Sequence, residues 1–229
     1  MGRVPSWPKQ AWLVLRKDVR VELSTGEVLT TSGFFAVLIV VIGALSFFGG
    51  PDAVVQVAPG VIWVPVAFAS VLALGRSWQR ERENDALSGL LAMPLERSAI
   101  FAGKAIGIAL FVLIVEWLVI PVAALLLNVD LLPVAPGLFL VSLAATPGIA
   151  AAGTLFGAMT VRTAARDLVL ASVLFPLLAP TLLSAVVATR GLLGGAPMSE
   201  LSDWLLLMGL FDVLFIAGGL GMFGALIES

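Results

Sequence analysis

The sequence predicts an all-α integral membrane protein with six transmembrane helices. Three observations carry that prediction. Of 229 residues, 60% are apolar and 12% charged, against roughly 45–50% and about 25% in soluble domains, and the mean hydropathy is +1.09. The apolar residues gather in six continuous runs of 17 residues or more, near the ~20 that cross a bilayer as a helix. None shows the strict alternation over about ten residues that a barrel strand requires. Six spans with short connections use up the chain, leaving no room for a soluble catalytic domain. Residues 1–229 read as a single transmembrane domain.

Residues 1–30 are comparatively polar and hold Arg3, Lys9, Arg16, Lys17 and Arg20. Trp12, Leu15, Val19 and Leu23 recur at helical spacing there, with the cations on another side and Glu22 intruding beside the stripe. This reads as an amphipathic helix in the membrane interface, the stripe facing the bilayer and the cations the headgroups. The apolar run begins too late for a cleaved signal peptide, and no small-x-small exit follows it. The expected spans are then Ser32–Phe48, Pro59–Trp78, Ile100–Leu127, Leu138–Met159, Leu168–Ala188 and Trp204–Ile227.

The formal charge of −2 hides a strong asymmetry. With six spans, the N-terminal segment, the connection between spans two and three and that between spans four and five share one side. That side collects 12 of the 13 basic residues, leaving Arg190 opposite. By the positive-inside rule both termini are predicted to be cytoplasmic, in an inner membrane. A five- or seven-span count would spoil the separation.

The chain contains no Cys, His or Tyr. Thiol chemistry, the usual imidazole base and most protein ligands for transition metals or haem are therefore absent. No phosphate-binding loop is present either: Gly103-Lys104 lacks the preceding glycine spacing. The reading is a non-catalytic subunit with no metal site and no affinity for nucleic acid.

One connection is longer than a turn needs. Residues 79–99 hold Arg80-Glu81-Arg82-Glu83, then Asn84 or Asp85 as a plausible N-cap. Leu87, Leu90 and Leu91 follow as one apolar face, and Pro94 stops the helix at Met93. A short amphipathic helix flanked by mixed charges is a surface for a partner; its alternative is a solvated turn resting on lipid headgroups.

This arrangement resembles the permeases of ABC-2 type exporters. More narrowly, the chain is similar to the haem exporter protein B family, the permease of the cytochrome c maturation ABC complex. The similarity rests on the loop helix with Met93-Pro94 and Gly103-Lys104, on Ala58-Pro59-Gly60-Val61-Ile62-Trp63, and on Glu116. Ala145-Thr146-Pro147 and Phe175-Pro176-Leu177 with Ala179-Pro180 complete it, and it runs from about Pro8 to the C-terminus. Where many ABC-2 permeases carry Gly-Thr/Ser-Leu-Glu in the loop helix, this chain has Asp85-Ala86-Leu87-Ser88.

The resemblance implies that the loop is a coupling helix docking into a separate ATPase. Leu87, Leu90 and Leu91 would be the anchors, and Arg80, Glu81, Arg82 and Glu83 the polar rim. ATP and Mg would sit on that partner, in two copies, and haem on partner proteins. A second copy of this chain, a haem-handling membrane protein, a small membrane subunit and a haem chaperone would complete the assembly. The implied action is release of the haem-loaded chaperone, or movement of haem, driven by ATP. An ABC-2 exporter of lipid, glycan or drug is the alternative in the same class.

Glu116 and Asp212 fall inside spans three and six. A carboxylate at bilayer depth costs about 2.5–3.5 kcal/mol on insertion scales, so each is expected to face protein or water. They are either polar contacts for a gate, cargo or partner, or hydrogen-bonded packing residues. An ion-coupled secondary transporter using both is a further alternative, though it leaves the loop helix unexplained. Pro121, Pro147, Pro176 and Pro180 interrupt spans as kinks or hinges. Gly103-x-x-x-Gly107, Gly153-x-x-x-Gly157 and Gly218-Gly219-x-Gly221-x-x-Gly224 permit close helix contacts.

Overall fold

The order of elements is α1 (Trp7–Thr25), α2 (Glu27–Ser46), α3 (Pro51–Glu83), α4 (Ala86–Ala92), α5 (Arg97–Leu127), α6 (Ala135–Thr160), α7 (Arg166–Leu193), a 3-10 turn (Met198–Leu201) and α8 (Ser202–Glu228). These come from a computed structural model, which describes the backbone at residues 5–47, 51–83, 86–160 and 166–228. Side chains are described there except at 51–52, 82–83, 86–88, 160, 166–171 and 228. Among the described residues there is no strand, and six helices (α2, α3 and α5 to α8) are long and apolar enough to cross a membrane. All six expected spans are found.

Every spanning helix begins earlier than the apolar pattern announces, two of them by five residues or more. α2 starts at Glu27 rather than Ser32, because Gly26 at φ 64° closes α1 by donating its N–H to the Glu22 carbonyl. A glycine in that left-handed conformation ends one helix and lets the next begin at once. α3 starts at Pro51 rather than Pro59, since a proline in the first turn has no N–H to leave unpaired. The prolines at 59, 65, 121, 147, 176 and 180 all lie within helices.

α6 is the buried centre. Of its most apolar stretch 72% is enclosed by protein, against 17% for α8. Small residues make this possible: a side chain at Gly153 would overlap Leu74, and one at Gly157 would overlap the Trp78 indole. Buried hydroxyls in α6 bond back into the helix, as Thr154 does to the Ala150 carbonyl at 2.7 Å. Gly103 and Gly107 of α5 likewise admit Val14, Leu15 and Asp18 of α1, while Gly219 of α8 receives Phe101. Two of the glycine motifs thus serve packing within the chain. Gly218 and Gly221 face open space.

α3 and α5 have 33 and 31 residues, lengths of about 50 and 46 Å at 1.5 Å per residue, against a hydrocarbon core of about 30 Å. Both outrun the bilayer. Their extensions meet at the end of the bundle that carries α1 and α4, called the basic end below. At the opposite end the Trp63 Nε1–H donates to Thr189 Oγ1 at 2.9 Å, joining α3 to α7, and Arg190 donates to the Gln56 carbonyl at 3.5 Å.

Candidate functional site

At the basic end α1 runs alongside the start of α5, in the same direction. The Trp7 Nε1–H donates to Ser98 Oγ at 2.9 Å, Val14 meets Gly103, and Asp18 meets Gly107. Gln10 fastens the lower end: its Oε1 accepts the Glu96 N–H at 2.7 Å and its amide donates to the Pro5 carbonyl. The expected stripe is therefore divided. Leu15 is buried against α5 and Val19 half-buried, whereas Trp12 and Leu23 point outward. The helix presents one face to the chain and a different apolar edge outside.

Four charges close a ring between α1, α3 and α5. Glu81 Oε1 accepts from Lys17 Nζ and, at 2.7 Å, from Lys104 Nζ. Asp18 bridges the same lysines, Oδ1 to Lys17 at 2.8 Å and Oδ2 to Lys104 at 3.4 Å. Signs alternate round the ring, so it is neutral as a whole. Lys104 is 1% exposed and Glu81 5% in their side chains, and the Lys104 ammonium lies 5.1 Å from the centre of the Trp78 ring, a cation–π contact. Burial opposes the charge on Lys17, but the Asp18 and Glu81 carboxylates outweigh it and hold its pKa above the ordinary lysine value. A cavity of about 210 Å³ lined by Lys17, Asp18, Ser77, Arg80 and Glu81 opens beside the ring.

A second latch lies one turn on. Buried Glu22 accepts the N–H groups of Val28 and Leu29, at 3.3 and 2.7 Å, so it caps the N-terminus of α2 from the preceding helix. The same carboxylate pairs with Arg80 at 2.8 Å, and Arg80 also donates to Thr25 Oγ1. An acidic residue on an apolar stripe was the visible sign of this role.

These contacts correct part of the loop reading. Glu81 is enclosed within the chain's own ring and Arg80 is turned to Glu22, so neither forms an outward rim. Arg82 and Glu83 have side chains outside the described residues, as does Leu87, and the N-cap candidates Asn84 and Asp85 lie outside them altogether. Leu90 is buried in the chain's own core and Leu91 packs partly against it. α4 ends at Ala92, and its Leu91 carbonyl is held by Arg97, whose two terminal nitrogens both donate to it at 3.2 Å. Among the described residues the loop turns Gly89, Ala92, Met93, Pro94 and Glu96 outward.

Within the membrane, Glu116 is fully buried between α5 and α6 and accepts from Thr146 Oγ1 at 2.9 Å. Its second oxygen and the Ser142 hydroxyl find no partner among the described residues. Asp212 of α8 lies against Gly148, where a side chain would overlap its Oδ1. Thr146 and Gly148 are about 200° apart around α6, so the two carboxylates sit on different sides of one helix. They flank the same proline kink without forming a pair.

Lys17, Asp18, Glu22 and Lys104 went unrecognised as site residues in the sequence. Their charged partners on other helices are 23 to 86 residues away, beyond any local pattern.

Residues 9–223 match the CcmB protein family. Heme exporter protein B of Bradyrhizobium diazoefficiens is 30% identical over 211 residues, covering 90% of this chain and 91% of that protein. The protein of the same name from Paracoccus denitrificans is 30% identical over 82% of this chain and 86% of its own length. That of Escherichia coli K12 is 27% identical over 93 residues, 41% of this chain.

Proposed function

This chain belongs to the CcmB protein family, a family of multi-pass inner-membrane transport subunits, and from that premise we propose that it is the permease half of an ABC transporter serving haem export. Its basic end faces the cytoplasm, where the α4 loop meets a separate ATPase subunit. ATP-driven closure of two such subunits pulls on the loop and shifts α3 and α5, and the motion releases a haem-loaded chaperone from the membrane assembly. Haem itself stays on partner proteins, since the chain offers no His, Cys or Tyr as an axial ligand.

The observation that carries this reading is the loop's construction. It joins two helices that outrun the bilayer, its feet are tied down by buried charges, and its exposed described residues, Gly89, Ala92, Met93, Pro94 and Glu96, are small or apolar but for the last. A short helix presented rigidly at a membrane surface suits insertion into a groove on a partner. Because Leu90 supports the loop from inside, the test belongs on the outer residues. Gly89→Glu with Met93→Glu is expected to abolish co-purification of the ATPase subunit while membrane insertion and melting temperature stay unchanged. Full retention of the ATPase by that variant would remove the docking claim.

A further inference from the structure

α1 touches both feet of the α4 loop at three levels. Gln10 holds the Glu96 N–H and Trp7 holds Ser98, where the chain re-enters α5. Glu22 holds Arg80 on the α3 side. Between these levels lies the ring, in which adjacent residues of opposite sign on α1 serve both feet at once: Lys17 reaches Glu81 of α3, and Asp18 reaches Lys104 of α5. The Glu81–Lys104 pair then joins the feet to each other at 2.7 Å. Gly103 and Gly107 let the α1 backbone come close enough for this.

We propose that Lys17, Asp18, Glu81 and Lys104 are positioning residues that lock α1 to both feet of the loop, so that α1 and the loop move as one body under the ATPase stroke. A buried apolar contact would also hold the helices together, but it would tolerate sliding. A ring of alternating charges fixes one register, because any slip leaves buried charges unpaired. The polarity of the ring is directional as well: exchanging Glu81 and Lys104 would set like charges against Lys17 and Asp18. α1 is thereby a transmission element, carrying loop displacement to α2 through Gly26 and the Glu22 cap. The stroke itself rests on the permease reading; the lock does not.

The chain has no native cysteine, so spin labels can be placed at will. Leu23→Cys on α1 and Glu96→Cys at the α5 foot of the loop are both exposed and form the reporting pair; Leu23→Cys with Leu132→Cys, at the opposite end, forms the control pair. Double electron–electron resonance is measured on the chain alone and on its complex with the ATPase subunit, before and after vanadate trapping of nucleotide. The expected result is a single narrow Leu23–Glu96 distance that trapping leaves in place while the control distance shifts. Glu81→Gln should broaden the Leu23–Glu96 distribution and make it sensitive to trapping, with the ATPase subunit still bound. Lys17→Gln, at a half-exposed position that tolerates change, should give the same broadening in milder form and serves if Glu81→Gln does not fold. A Leu23–Glu96 distance that shifts on trapping in the unsubstituted ring, or one that stays narrow in both variants, would overturn the proposal. Failure of the ATPase subunit to bind the parent chain would instead strike the permease reading, and the widths measured on the chain alone would still decide the lock.

Discussion

The two ends of the charge distribution solve opposite problems. At the basic end, Glu81 and Asp18 face two lysines, and four charges, the Glu81–Lys104 pair among them buried, cancel around a closed ring. Deep in the bundle, Glu116 meets a threonine hydroxyl and Asp212 the surface of Gly148, and no cation pairs with either among the described residues. The first arrangement depends on charge and is least tolerant of losing its buried members, Lys104 and Glu81. The second depends on shape and hydrogen bonding, and an uncharged carboxamide could replace either acid.

The largest expected effect breaks the ring at its most buried member. Lys104→Met should destabilise the chain by about 3–5 kcal/mol, since it leaves two carboxylates to share Lys17 alone, and should appear as a large fall in melting temperature in detergent. Adding Glu81→Leu to Lys104→Met should recover much of that loss, because apolar replacement of a buried pair is often close to neutral; a further fall of the same size would mean that packing, not charge, dominates. Glu22→Gln should cost about 1–3 kcal/mol, weakening a cap and an ion pair together. Glu116→Gln sits at the other pole of the comparison: the amide oxygen still accepts from Thr146, so the expected change is within about 1 kcal/mol. A loss as large as that of Lys104→Met would show Glu116 to be held by charge after all.

The smallest effect concerns pH. Lys17 is charged in both folded and unfolded chains across the neutral range, and its folded pKa is the higher of the two. Its contribution is therefore constant at neutral pH and lost only as pH rises through the raised value. Melting curves of parent and Lys17→Gln should keep a constant separation near neutrality and converge only in alkali.

The spans were legible because a bilayer imposes length and hydropathy on every one of them. The segregation of cations to one end was legible for a similar reason, since it follows from span count alone. Glu22 was half-legible, as an acid on an apolar stripe, but the stripe could not show that the N-terminus of α2 was its destination. The ring was not legible: Lys17 and Glu81 are 64 residues apart and Lys104 and Asp18 are 86 apart, and each alone resembles an ordinary surface charge. The loop misled in a specific way. Periodicity put Leu87, Leu90 and Leu91 on one apolar face, and the family resemblance implied that they anchor a partner, yet Leu90 of this seven-residue helix is turned into the chain's own core. The glycine motifs were legible as close approaches, but their partners, α1 for Gly103 and Gly107 and α3 for Gly153 and Gly157, depend on tertiary arrangement.

The central claim is that the loop end of the bundle is where the ATPase subunit docks. Single cysteines at Met93 and at Leu132, 54% and 82% exposed, can each be treated with a bifunctional thiol cross-linker in membranes holding the assembled complex. The account predicts a cross-link to the ATPase subunit from position 93 and none from position 132. A cross-link from 132, or none from 93, would contradict it.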